Sequence, residues 1–100
     1  MLNLRFKYKK EILELKEEKY VHGGQALIAY CKNGEIFTTL SVRLDIKPSK
    51  NCFWFKTYSE NEDISKFMLA EGLIELTGRT IQQGFVEIPE ARIMPEKFKY

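Results

Sequence analysis

Asn33-Gly34, set between two apolar runs, is the feature that most restricts how this chain folds. Both residues tolerate positive φ, as a type I′ turn demands, so the pattern predicts a β-hairpin with a two-residue loop. In that register Lys32 faces Glu35, Cys31 faces Ile36, Tyr30 faces Phe37, Ala29 faces Thr38 and Leu27 faces Leu40. Opposite charges then meet at the tip and two aromatic rings meet further in. Cys31, Ile36, Leu27, Leu40 and Val42 fall on one face, and Tyr30, Phe37, Ile28 and Thr39 on the other. With apolar groups on both faces, the pair is expected either covered inside a sheet or open to a partner. The exposure of Tyr30 and Phe37 decides between the two.

The flanking segments predict an α+β domain, a mostly antiparallel sheet of five to seven short strands with one helix packed on it. Residues 2–8 alternate, with Leu2, Leu4, Phe6 and Tyr8 on one side and Asn3, Arg5 and Lys7 on the other, the period of a half-buried strand. Residues 10–21 fit a strand or a helix face, and strand is the reading taken; His22-Gly23-Gly24 then reads as a turn. Pro48 to Asn51 is a connection, followed by a short aromatic strand at Cys52 to Phe55. A helix is expected over 61–71, opened by a capping box at Ser59-Glu60-Asn61-Glu62, carried by Ile64, Phe67 and Met68, and closed by Gly72. Short strands are expected at 73–76, 80–81 and 85–88, the last at a sheet edge because of Pro89, and a fraying polar end at 95–100.

One hundred residues make a single domain, spanning 1–100, since two cores could not be closed at this length. The chain is 44% hydrophobic and 30% charged, an ordinary globular balance. It has no apolar run near 18 residues and no signal-like start, so a cytoplasmic protein without a membrane anchor is expected. Sixteen Lys and Arg stand against fourteen Asp and Glu, too even for a nucleic-acid binder that relies on bulk charge. The distribution is less even: Arg43, Lys47, Lys50 and Lys56 make one stretch basic, and Glu60, Glu62, Asp63, Glu71 and Glu75 make the next acidic.

Catalytic chemistry is not signalled. One histidine excludes mechanisms that need two in a chain, and neither Cys31 nor Cys52 sits in a nucleophile or metal-ligand motif, so both read as reduced core thiols. The carboxylates at Glu14, Glu17 and Glu18 and at 60–63 lie in solvated charge runs, and no phosphate loop accompanies Gly23-Gly24. A non-enzymatic protein with no cofactor and no metal is therefore expected. Two binding readings follow. Lys50, Trp54 and Lys56, with neighbouring aromatics, could stack on single-stranded nucleic acid. Alternatively, aromatics on the sheet and an acidic helix edge could dock a protein partner, and the same residues could close a homodimer.

A resemblance adds a setting. Lys19-Tyr20, Ala26-Leu27-Ile28-Ala29, Thr39-Leu40-Ser41-Val42, Tyr58-Ser59-Glu60-Asn61-Glu62, Gly72-Leu73, Thr77-Gly78-Arg79 and Gly84-Phe85-Val86 occur in that order. The arrangement resembles a bacterial domain family of unknown function found on phages, plasmids and other mobile elements; the first eighteen residues lie outside it. The resemblance implies no catalytic residues. It implies a small phage or mobile-element protein acting in the host cytoplasm, of the kind that binds and blocks a host defence nuclease or effector complex, anti-CRISPR proteins among them. On that reading Glu60, Glu62 and Asp63 meet a basic channel, and Tyr30, Phe37 and Trp54 are the aromatic anchors. The rival is a single-strand nucleic-acid-binding module for element maintenance, with Lys50, Trp54 and Lys56 as its surface.

Overall fold

A computed structural model describes residues 4–19 and 25–100. The alternation of the first strands is realised directly. Strand β1 (Leu4–Tyr8) turns at Lys9-Lys10 into β2 (Glu11–Lys19), and β3 (Gln25–Tyr30) and β4 (Ile36–Thr39) complete an antiparallel sheet in the order β1-β2-β3-β4. Phe6, Tyr8, Leu13, Leu15, Leu27, Ala29 and Leu40 are buried on one face, whereas Arg5, Lys7 and Lys16 are exposed on the other. The 10–21 segment is thus a strand over most of its length, and the His22-Gly23-Gly24 turn lies outside the described residues.

Helix α1 (Glu62–Ala70) closes this face, with Ile64 and Met68 buried and Phe67 packed beside them. It ends as its sequence dictates. Gly72 takes φ +74°, its N–H bonds to the Leu69 carbonyl at 3.1 Å, and the Leu73 N–H reaches the Met68 carbonyl at 3.0 Å, the double bond of a Schellman motif. Its start differs from expectation: a 3₁₀ turn at Ser59–Asn61 precedes it and no side chain caps it. Asn61 is instead drawn into the core, where it accepts from the Thr38 hydroxyl and donates to the Thr39 carbonyl at 2.8 Å. The amide is turned towards β4 and makes no bond to the first turn of α1.

The second sheet, order β5-β7-β6, joins β5 (Phe53–Trp54), β6 (Ile74–Gln83) and β7 (Val86–Ile93). A bridge between Ser41 and Phe55 links it to the first. The three short strands expected after the helix are two long ones. Gly78 marks a bulge, because Thr77, Gly78 and Arg79 together stand opposite Glu90, and Gly84-Phe85 form the two-residue loop between Gln83 and Val86. Pro89, expected at an edge, lies in the central strand β7. Its carbonyl accepts from the Phe55 N–H at 2.8 Å, so its missing N–H also points to the β5 side, just where β5 ends, and no bond to β6 is lost. The expected fraying end is docked: a 3₁₀ turn at Pro95–Lys97 sets Phe98 edge-on to Phe6 at 5.9 Å.

The hairpin at Asn33-Gly34 forms with a different turn. The Gly34 N–H bonds to the Cys31 carbonyl at 3.0 Å, Lys32 and Asn33 keep negative φ, and Gly34 alone is left-handed at φ +90°. This is a three-residue loop whose glycine forms a bulge, stabilised by the Glu35 N–H donating to Asn33 Oδ1. The register shifts again one step in, where Ala29 still faces Thr38 but Tyr30 faces Ile36. Phe37 is the extra residue. The shift exchanges the expected faces: Ile36 joins Tyr30 on the outer side, and Phe37 turns inward to meet Tyr8.

Candidate functional site

The bulge at Phe37 builds the most distinctive exposed surface of the first sheet. Ile36 is 60% exposed and Phe37 40% exposed, although both lie next to well-fixed residues. Thr38, one step on, is buried and tied to Asn61, so the backbone that presents Phe37 is anchored to the start of α1. Behind Phe37 the rings form a chain: Tyr8 meets Phe37 edge-on at 5.9 Å and Phe67 at 5.2 Å, and Phe67 stacks on Phe6. Rigid, edge-to-face aromatic contacts of this kind hold a ring in place at little entropic cost on docking.

Charged groups surround these rings. Asp63 stands one helical turn before Phe67, and the Lys9 ammonium lies 5.3 Å from the centre of the Tyr8 ring. The acidic group itself is largely neutralised on the spot. Glu60 pairs with Lys56 at 3.0 Å and Glu62 with Lys66 at 3.4 Å; of the three acidic residues, Asp63 alone makes no ion pair among the described residues. The Lys56 hydrogen bond, with the backbone at Glu60, holds the Glu60 carboxyl below its ordinary pKa. The rim is therefore mixed in sign rather than a continuous acidic face.

The six residues expected to bind a protein partner separate into groups. Phe37 and Asp63 belong to one side of the molecule, since Tyr8 joins Phe37 to Phe67 and Asp63 stands one turn before Phe67, while Glu60 and Glu62 lie at the start of α1, each held in its own ion pair. Tyr30 is on the opposite face of the sheet, half-buried, its hydroxyl donating to the Glu18 carboxylate and its ring under the Lys16 ammonium at 5.2 Å. That bond, with burial and the Glu18 charge, pushes the Tyr30 pKa up. Trp54 is the clearest correction: it is 2% exposed and can be neither an anchor nor a stacking platform. Phe53 and Phe55 point into the main core, so the residue between them must point the other way. A loop covers it there, since Trp54 Nε1 donates to the Ile46 carbonyl at 2.7 Å and the Arg79 guanidinium lies 5.1 Å above its ring.

That leaves the nucleic-acid reading with lysines and no platform. Lys50 is exposed, but Lys56 is half-buried, bonded to Glu60 and laid over Tyr58.

Sequence reasoning missed Glu90, which is 2% exposed and organises this side of the molecule. Burial by itself would raise its pKa. Against this, its carboxylate accepts from the Ser49 N–H at 2.7 Å, the Thr77 hydroxyl at 2.7 Å and Arg79 at 3.1 Å, which together hold the pKa below the ordinary carboxylate range. The Thr77-Gly78-Arg79 bulge is thus a clamp: Gly78 at φ +97° turns the strand so that the residues on either side both reach Glu90. The one available signal was a bulge-forming glycine between two hydrogen-bonding side chains. Phe85 was also missed. It stands fully exposed at the β6–β7 turn, and its position after Gly84 in a two-residue loop was the signal for it.

Neither thiol is activated. Burial, then the carboxylates of Glu11 and Glu35, push the Cys31 pKa up; burial, then Glu90, do the same for Cys52. Among the described residues, no three of His, Cys, Asp and Glu come together as a metal would require, and no helix is long and apolar enough to cross a membrane. A shallow concavity of 450 Å³ opens beside Phe6, Phe67 and Leu73, rimmed by Lys7, Glu71 and Glu96. Compared with protein families, curated proteins and solved structures, the chain matches none.

Proposed function

We propose that this chain is a binding protein that acts without catalysis, by seating the Ile36–Phe37 bulge against a protein partner. The observation that carries the reading is an apolar pair left in solvent on a backbone fixed on both sides, by the Asn61–Thr38 bond and by the Tyr8 ring. Exposed apolar groups on a rigid support, ringed by charges of both signs, are the usual make-up of a protein-docking centre. The resemblance to mobile-element proteins supplies the kind of partner: a host defence nuclease or effector complex, such as a Cas complex, that the chain would block stoichiometrically in the host cytoplasm. The mixed rim suits a folded protein surface better than a deep basic channel.

The experiment is co-purification from cells that carry CRISPR and restriction systems, followed by a cleavage assay with the captured complex. The wild-type chain is expected to capture a nuclease complex and stop cleavage at about one chain per complex. Phe37→Ala and Ile36→Asp, both at exposed positions, are expected to abolish capture while keeping the fold. Capture that survives both substitutions, or the absence of any defence component, would contradict the reading.

A further inference from the structure

We infer that the outer edge of β6 pairs antiparallel with the same edge of a second copy of this chain, about a two-fold axis at Ile81. The inference concerns the second sheet and stands independently of the Ile36–Phe37 surface.

Main-chain geometry sets it up. In an antiparallel strand the N–H and C=O of one residue point to the same side, and successive residues alternate. Pro89 points its carbonyl to β5. Its partner across the ladder, Thr80, must therefore point its own N–H and C=O away from β7, and so must Gln82 opposite Glu87. β6 is the last strand of its sheet, so these four groups have no backbone partner among the described residues.

Protein edges are normally guarded by charge, proline or a bulge. β1, at the outer edge of the first sheet, carries Arg5 and Lys7, and the part of β7 that β5 does not reach carries Glu87 and is bounded by Pro89, where the bond to Phe55 closes it. The stretch Thr80-Ile81-Gln82-Gln83 has none of these. What fits such an edge is another extended, uncharged edge.

The spacing of side chains selects a second copy. With the axis at Ile81, Thr80 of each chain faces Gln82 of the other, which matches outward donor to outward acceptor and forms about four main-chain bonds. The two Ile81 side chains meet at the axis, and no like charges stand opposite each other. Measured along β7, Leu76 lies level with Ala91, three residues from the Ile88 that faces Ile81. The Gly84-Phe85 tip lies about the same three steps beyond Ile81 on the other side, roughly 10 Å. The two-fold therefore brings Phe85, which is fully exposed, to the level of Leu76, 44% exposed, in the other chain. An unrelated strand would have no reason to match that interval; a second copy matches it twice.

The interface is small, so association is expected to be weak. Sedimentation of the full chain should show the average mass rising from 11.8 kDa towards twice that between about 10 µM and 1 mM. Ile81→Lys and Ile81→Glu should each stay monomeric, because like charges meet at the axis, whereas their equimolar mixture should associate. Phe85→Ala, at a side chain that packs on nothing, should keep the fold and weaken association by about tenfold. A wild-type chain that stays at 11.8 kDa throughout overturns the inference. So does association unaffected by Phe85→Ala, or a charge-swapped mixture no more associated than its components.

Discussion

The hairpins β3–β4 and β6–β7 are built alike and end in opposite situations. Each turns on one left-handed glycine, Gly34 or Gly84, and each contains a register shift. Yet Leu27, Ala29 and Leu40 of the first are shut into the core under α1, whereas the second buries its base and leaves Thr80 to Phe85 largely in solvent. The difference lies in what each bulge does. In β4 it swings Phe37 towards Tyr8 and keeps the strand on the helix; in β6 it clamps Thr77 and Arg79 to Glu90 and releases the strand beyond. Local turn chemistry makes a hairpin, and the contacts around the bulge decide whether it becomes core or surface.

The largest effect expected from this contrast is at Leu40. Leu40→Ala leaves a cavity beneath the first hairpin and should cost about 3 kcal/mol in denaturant unfolding, while Phe85→Ala in the second should change stability by less than about 0.5 kcal/mol. Comparable losses from the two would erase the distinction. Glu90→Ala strips the clamp of its acceptor and leaves the Ser49, Thr77 and Arg79 donors unmatched, for an expected cost of about 3 kcal/mol.

The clamp also predicts a pH dependence. Because the folded pKa of Glu90 lies below its unfolded one, its contribution is complete above about pH 5 and is lost as the pH falls through the lowered folded value. The unfolding midpoint of the wild type should drop on acidification by more than that of Glu90→Gln; parallel profiles would remove the carboxylate from this role. Smaller again are Gly34→Ala and Gly84→Ala. A Cβ at either position meets nothing within 4 Å, so only the backbone conformation resists, at about 1 kcal/mol in each hairpin. Equal costs would show that the two turns are equivalent and that the hairpins differ elsewhere.

Much of the architecture was legible in the sequence. Strict alternation located β1 and Gly72 marked the helix end, because each reports a local backbone preference that burial then reinforced, and the 10–21 segment, which fitted a strand or a helix face, is a strand over Glu11–Lys19. The turn at Lys9-Lys10 carried no signal, since lysine at φ +56° is an unfavourable choice made only because the strands on either side fix it. The bulge at Phe37 was invisible for a related reason: a one-residue shift depends on Asn61, twenty-odd positions away, holding Thr38 inward. Of the candidate site, Phe37 was found with its face reversed, and Trp54 was misplaced because the loop that buries it reads as an ordinary basic connection. Glu90 could not be distinguished from a surface carboxylate until the bulge opposite it was known.

Backbone amide exchange, followed by NMR at low and high protein concentration, tests the division between the two hairpins most directly. The amides of Leu27 and Ala29 should be strongly protected at both concentrations. Those of Thr80 and Gln82, which point away from β7, should exchange rapidly in the dilute monomer and slow as the concentration rises. If Thr80 and Gln82 exchanged at one rate irrespective of concentration, or Leu27 and Ala29 exchanged as fast as they do, the account of one hairpin as core and the other as an open, self-pairing edge would be contradicted.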